Sequence, residues 1–409
     1  MSRTTRFARF LPGFLLVATL ALNSAGTRIP VRAGTITPLT ALVRVLTAPH
    51  EQSDWFAPAF LAQVNASQIE QVIDGIKARF GLYKGVAPRP DGSYEVTFAR
   101  GTVQAQIHLD ERGRIDGLLF TQPRFTYVSR SSALHALRVL PGQVSLLITK
   151  NGADVIAIDP DRSLAVGSAF KLAVLAALQA RIKAGQLSWT QQVTLHAGDK
   201  SLPGGILQTK PDGLRYSVAD LARYMISVSD NTAADLLIHL VGRPAIDPLI
   251  PAHDRPILTT HEAFVLKDPA HHDLRDRYLA ANPADRVAIL ARADRLPLPS
   301  LQTLGPLLAK GPPSPRVEWF FSTRQLWGLM GQVGNLSQMS INPGVADPSE
   351  WTHVAFKGGS EPGVLNLTTM ATARNGATYG VSATWNDAAL LDEGRFESLY
   401  GSLLHSLVS

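Results

Sequence analysis

The sequence predicts an α+β chain of two domains, and three observations carry that expectation. The chain has 409 residues, and at about 100 to 200 residues per domain this means two domains, or at most three. Hydrophobic residues make up 45% and charged residues 18%, with a mean hydropathy of +0.05, which suits large buried cores and excludes a mostly disordered or collagen-like chain. Amphipathic helical spacing and strand-like alternation both occur, in two separate blocks.

The first block runs from 38 to 130. Ala66, Ile69, Val72, Ile73, Ile76 and Phe80 recur at intervals of three and four between Asn65 and Gly81, the pattern of an amphipathic helix that a glycine ends. Three alternating stretches follow, Ser93 to Ala99, Thr102 to Leu109 and Ile115 to Phe120, with turn signals at Arg100-Gly101 and Glu111-Arg112-Gly113. His108 stands alone on a strand, and Asp110, Glu111 and Asp116 sit where turns place such residues. This small α+β unit therefore reads as structural.

The second block runs from 140 to 409. It opens with a hairpin, because Val144 to Thr149 and Asp154 to Ile158 flank Asn151-Gly152, a dipeptide that tolerates positive φ at both turn positions. Strand-like segments Thr352 to Gly358, Leu365 to Ala373 and Thr378 to Thr384 close it, with Asn375-Gly376 between the last two. The patterns between these strand sets are mostly helical, so the two sets are expected to pair into one antiparallel sheet with helices on its faces. Leu296 to Ser300 and Gly311 to Pro315 read as loops.

Ahead of both blocks, Arg3, Arg6 and Arg9 precede an apolar run from Phe10 to Leu22, and small residues follow at Ser24, Ala25 and Gly26. That order is a secretory signal peptide, residues 1–25, and its apolar run is shorter than the roughly 20 residues needed to cross a bilayer. A periplasmic or extracellular protein is expected, with retention by an uncleaved leader as the alternative. The balance of 39 Lys and Arg against 33 Asp and Glu gives +6, but no basic run or stripe accompanies it, so nucleic acid is not expected as a partner. With no cysteine, disulfides, thiolate metal sites and cysteine nucleophiles are excluded, and any nucleophile must be oxygen or nitrogen. His253, His261, His271 and His272 form no metal-binding motif, so neither metal nor cofactor is expected.

Chemistry concentrates in three short elements. Ser168-Ala169-Phe170-Lys171 heads Leu172 to Ala184, a run apolar on nearly all sides, which describes a buried helix. Three residues apart, Ser168 and Lys171 share one face of the first turn. The positive helix end suits an oxyanion there, and apolar neighbours would lower the lysine pKa toward an amine able to take the serine proton. Ser229-Asp230-Asn231 lies in a helical region, where the same residue types also serve as an N-cap. Lys357-Gly358-Gly359-Ser360 ends a strand, and its glycines let backbone approach a ligand, or simply make a glycine turn.

A Ser-x-x-Lys on a buried helix, then Ser-Asp-Asn, then Lys-x-Gly on a strand, in that order, is the signature set of β-lactamases and penicillin-binding proteins. Residues 144–409 thus resemble a class A-type β-lactamase or penicillin-recognising serine hydrolase, including the approach Leu164 to Lys171, the segment Ala184 to Leu187 and the run Ser229 to Leu237. By its pattern, the first block resembles the cystatin-like domains that precede some serine hydrolases. The resemblance implies Ser168 as acylated nucleophile, Lys171 as general base, and Ser229 as proton relay to the leaving nitrogen. It implies Asn231 as partner of the substrate amide, Lys357 as partner of its carboxylate, and the backbone N–H groups of Ser168 and Ser360 as oxyanion donors beside Gly359. Asp230 reads as structural.

Two departures bear on substrate and turnover. Gly358 stands where the family has a Thr or Ser hydroxyl, and no Glu-x-x-x-Asn run is present to position a deacylating water. Glu262, in Thr259 to Leu266, is the candidate base, and the same residues also make a capping box with Thr259 as N-cap. The implied activity is β-lactam hydrolysis through an acyl-enzyme. Alternatives are an esterase, a penicillin-binding hydrolase of cell-wall peptide with slow deacylation, and a non-catalytic module that senses β-lactams or cell-wall fragments.

Overall fold

In the computed structural model, residues 36–50, 52–202, 204–300, 302–303 and 317–409 are described; the expected leader and the Gly311 to Pro315 loop lie outside them. The described residues divide into two compact units, one formed by those of 134–391 and 404–409, the other by those of 36–133 together with 392–403.

In the smaller unit, α1 (Pro38–Thr47) and α2 (Ala66–Phe80) accompany an antiparallel meander of β1 (Tyr83–Pro88), β2 (Tyr94–Phe98), β3 (Gly101–Leu109) and β4 (Ile115–Phe125). α2 begins with a capping box between Asn65 and Gln68 and ends at Gly81, whose φ of 83° lies in the left-handed region. Ile69, Ile73, Ile76 and Phe80 form its buried stripe and join Val96, Phe98, Val103 and Phe120 of the sheet in one core, as the spacing predicts. β1 has no counterpart in the sequence reading, because Gly85 and Pro88 weaken its alternation. Residues 392–403 come from α8 (Glu393–His405) and the residue before it. Asp392 pairs with Arg100 at 3.0 Å and Glu397 with Arg79 at 2.7 Å. A Cβ at Gly394 would lie 2.2 Å from the Arg79 carbonyl oxygen, so only glycine allows that approach.

In the larger unit, β5 (Gln143–Lys150), β6 (Ala153–Ile158), β7 (His353–Glu361), β8 (Val364–Thr372) and β9 (Thr378–Asn386) form one antiparallel sheet in the order β7-β8-β9-β5-β6. The terminal strand sets therefore pair as expected, and the Asn151-Gly152 turn has positive φ at both residues, 50° and 84°. The helical segments α3 (Lys171–Lys183), α4 (Val218–Ser227), α5 (Asn231–Val241), α6 (Thr260–Lys267) and α7 (Thr323–Val333) supply most of the apolar core. Every residue of α3 from Lys171 to Leu178 is buried, which explains a run apolar on all sides. β7 is an edge strand of the sheet, and the sequence ahead of α3 lies against it.

Candidate active site

Ser168 does not lie in the α-helix that the spacing predicts. It sits in a 3₁₀ turn, Gly167–Phe170, and α3 begins only at Lys171. The correction strengthens the pairing: residues three apart eclipse in a 3₁₀ turn, and Lys171 Nζ lies 3.2 Å from Ser168 Oγ. The turn is fastened at its approach. Asn386 exchanges two 2.9 Å hydrogen bonds with the backbone of Ala165, Val166 N donates to Trp319 O, and Phe170 stacks on Trp319 with ring centroids 4.1 Å apart.

Two glycines set the turn against β7. A Cβ on Gly359 would fall 2.1 Å from Val166 O and 2.4 Å from Ser168 N, and one on Gly167, whose φ is 49°, would lie 3.2 Å from Ser360 N. The amides of Ser168 and Ser360 thus border one glycine-lined contact. The spacing argument picks out Gly359 but passes over Gly167, whose only signal is a glycine directly before the serine.

The Ser-Asp-Asn triplet interrupts the helical region rather than lying within it. α4 ends at Ser227, Ser229 takes a φ of 55°, and α5 starts at Asn231. Asp230 is the N-cap: Oδ1 accepts from Ala233 N, and Oδ2 accepts from Ile206 N at 2.6 Å and Leu207 N at 2.8 Å. Its neighbours face the nucleophile. Lys171 Nζ donates to Asn231 Oδ1 and to Ser229 O at 2.7 Å each, and lies 3.3 Å from Ser229 Oγ. On the other side of that hydroxyl stands Lys357 Nζ, 3.1 Å away, which also donates to Gly358 O.

Ser229 Oγ therefore sits between two buried amines. Burial lowers the Lys171 pKa to about 7, against the partial opposition of Asp230, Asp235 and Glu361. Burial, and then the charge of Lys171, push Lys357 well below the ordinary lysine value. Lys171, Asn231 and Lys357 are buried, whereas Ser168, Ser229 and Ser360 are half-buried, so hydroxyls face outward with amines behind them. This arrangement allows a neutral amine to accept a serine proton and a second hydroxyl to pass it on.

Glu262 is built differently. It forms the capping box of α6 with Thr259; Oε2 accepts from Thr259 N at 2.8 Å, and both oxygens accept from Arg243 Nη2, at 2.5 and 2.6 Å. Among the described residues no hydrogen bond joins it to Ser168, Lys171 or Ser229. The cap and the arginine account for its buried carboxylate. The other end of α6 carries a group that the spacing argument does not find. Lys267 Nζ lies 2.5 Å from Glu318 Oε1 and also pairs with Glu361, the residue after Ser360. Among the described residues no cluster of His, Asp and Glu is arranged to hold a metal, and no helix is long and apolar enough to cross a membrane.

An antiparallel sheet whose edge strand presents a lysine to a Ser-x-x-Lys turn and a Ser-Asp-Asn corner is a β-lactamase-like arrangement, similar to that of serine β-lactamases and penicillin-binding proteins. Residues 133–287 match the model of the beta-lactamase enzyme family, and over that segment the resemblance carried by the motifs is shown. The β-lactamase regulatory protein BlaB of Streptomyces cacaoi is 31% identical over 102 residues, which are 23% of this chain and 31% of that protein. The chain thus spans under a third of that relative's length. Similar solved structures include a β-lactamase from Sphaerobacter thermophilus, 22% identical over 69% of this chain and 96% of that one, with a TM-score of 0.43. A β-lactamase from Xanthomonas campestris is 17% identical over 68% and 96%, with a TM-score of 0.46. PBP-A is 16% identical over 69% and 99%, with a TM-score of 0.45.

Proposed function

We propose that this protein is an exported serine hydrolase that opens β-lactams through an acyl-enzyme on Ser168. The observation that carries the reading is the position of Lys171 Nζ, 3.2 Å from Ser168 Oγ and 3.3 Å from Ser229 Oγ. In the first step Lys171 accepts the Ser168 proton as Oγ bonds to the lactam carbonyl carbon. The developing oxyanion lies toward the amides of Ser168 and Ser360. The lactam C–N bond then breaks, and the nitrogen takes its proton from Ser229, which is replenished from Lys171. Lys357 attracts the substrate carboxylate and Asn231 its amide. With Gly358 in place of a hydroxyl residue, the hydroxyl that follows Lys357 on this strand is that of Ser360, three residues on. The arginines and apolar run before Ala25 support export to the periplasm or the outside.

One observation favours a second reading, a penicillin-binding hydrolase with a long-lived acyl-enzyme: Glu262 is occupied by its cap and by Arg243. Intact mass followed over time after mixing with a penicillin separates the two. A transient adduct with turnover is expected for a β-lactamase, and a lasting one for the second reading. Ser168→Ala is expected to abolish the adduct; an adduct that survives this substitution, or wild-type protein that never acquires one, removes Ser168 as the nucleophile of β-lactam opening.

A further inference from the structure

Among the described residues three lysines are buried, Lys171, Lys267 and Lys357, and they are partnered in two different ways. Lys171 and Lys357 face serine hydroxyls and neutral oxygens. Lys267 faces two carboxylates instead, Glu318 at 2.5 Å and Glu361. Burial works against its charge, but the two carboxylates more than offset this and hold its pKa above the ordinary lysine value. It therefore stays an ammonium where the other two lean toward neutrality, and it suits holding rather than proton transfer.

Each carboxylate belongs to one wall of the site. Glu361 ends β7 directly after Ser360, whose amide is one of the two oxyanion donors. Glu318 opens the segment that fastens the other donor. Its neighbour Trp319 stacks on Phe170 and accepts from Val166 N, and Phe320–Phe321 pair with Leu164–Ala165 on the approach to Ser168. One ammonium thus joins the strand bearing the Ser360 amide to the segment holding the Ser168 turn. The two walls meet at Gly359 and Gly167, so no side chain of these residues props them at a set distance, and a tie from outside has to do it. Lys267 is itself fixed. It ends α6, whose eight residues span about 12 Å. The first turn of α6 is bound to α5, the helix that starts at Asn231, because Asp235 accepts from Thr260 N at 2.7 Å, Thr260 Oγ1 at 2.8 Å and His261 N at 2.9 Å. Arg243 holds α6 again through Glu262. α6 is therefore a strut with the Ser-Asp-Asn helix at one end and both oxyanion walls at the other.

We propose that Lys267 is a positioning residue for the oxyanion hole, holding the amides of Ser360 and Ser168 at their working separation through Glu361 and Glu318. The inference rests on the acyl-enzyme reading. Oxyanion donors act from about 2.7 to 3.1 Å, so a strand end that drifts is a poorer donor even when the fold is intact. Lys267 touches neither substrate nor nucleophile in this role; it acts through the two backbone amides.

The test uses the full chain, wild type and Lys267→Met, with a penicillin carrying carbon-13 at the lactam carbonyl. Intact mass times the growth of the adduct, and rapid-mixing infrared difference spectra read its ester carbonyl, whose stretching frequency falls when the two amides donate to it. Lys267→Met is expected to slow acylation by roughly 10²-fold, the scale of a misplaced reacting group, and to move the carbonyl band to higher frequency. A merely structural role would lower stability and leave the band where it is. Either effect without the other overturns the proposal, as does the absence of both. Wild-type protein that forms no adduct sinks the acyl-enzyme reading itself, and the proposal with it, whereas a wild-type adduct beside an unaffected variant sinks the proposal alone. Lys267→Met leaves two carboxylates without their cation. If it does not fold, Glu361→Gln keeps the pair of Lys267 with Glu318 and frees only the strand. A band at higher frequency with acylation slowed at least about tenfold then supports the role, and an unmoved band or an unchanged rate overturns it.

Discussion

Lys171 meets two demands that oppose each other. It must be buried to lose its charge near neutrality, yet its three donors must be satisfied, and the oxygens of Asn231, Ser229 and Ser168 do this. With a pKa near 7, the rate of adduct formation is expected to rise with pH through about 7 and then level off, because only the neutral amine accepts the Ser168 proton. The same shift has a signature in stability. The folded amine binds its proton less tightly than the unfolded one, so the penalty is complete below about 7 and fades as pH climbs toward 10.5. Denaturant unfolding from pH 7 to 10 is therefore expected to show a rise in stability that is smaller in Lys171→Met, where buried Lys357 alone contributes it, and parallel profiles would refute the depressed pKa. At this scale the sequence was highly informative about residue types and poor about commitments. A serine, an amine and a Ser-Asp-Asn triplet in order identify the chemistry. Glu262 reads as a cap with the base as its alternative until Arg243 is seen to take its oxygens.

The site depends on how closely an edge strand approaches a turn. Gly359 and Gly167 remove the two side chains that would hold β7 and the Ser168 turn apart. Gly359→Ala is expected to slow acylation by roughly 10²-fold or more, the cost of displacing an oxyanion donor, with the sheet retained. Stopped-flow acylation beside circular dichroism checks this, and a fully active alanine variant would show that the approach is not needed. Periodicity located α2, α3 and the strand sets because a buried face leaves a regular trace. It mistook the state of the Ser168 turn, since 3₁₀ and α spacing both place residues three apart on one side. It also missed the break at Ser229, because a φ of 55° on a serine is imposed by surroundings and not by the residue itself. The Lys267, Glu318 and Glu361 cluster joins three segments remote in sequence, and no local pattern announces such a meeting.

Across the whole chain, the smaller unit is assembled from two stretches of sequence. Residues 392–403, which the sequence reading assigns to the domain 140–409, cluster with that unit through Arg100, Arg79 and the Gly394 contact. Sequence alone names no element over α8, and no local pattern there tells which core receives it. A fragment of residues 36–133 is expected to be poorly folded alone and to gain helical and tertiary signals when a peptide of residues 391–405 is added, as followed by circular dichroism and amide exchange. An unassisted fragment as protected as the intact chain would contradict this.

The same arrangement bears on the order in which the units can fold as the chain emerges. Domains commonly fold as they emerge, the first to be made folding first, but here the earlier unit must wait for a helix made only after residues 134–391. The nucleophile-bearing unit is therefore expected to reach most of its native structure while its predecessor is still unfinished, which makes the last-made helix the latch on the first-made domain.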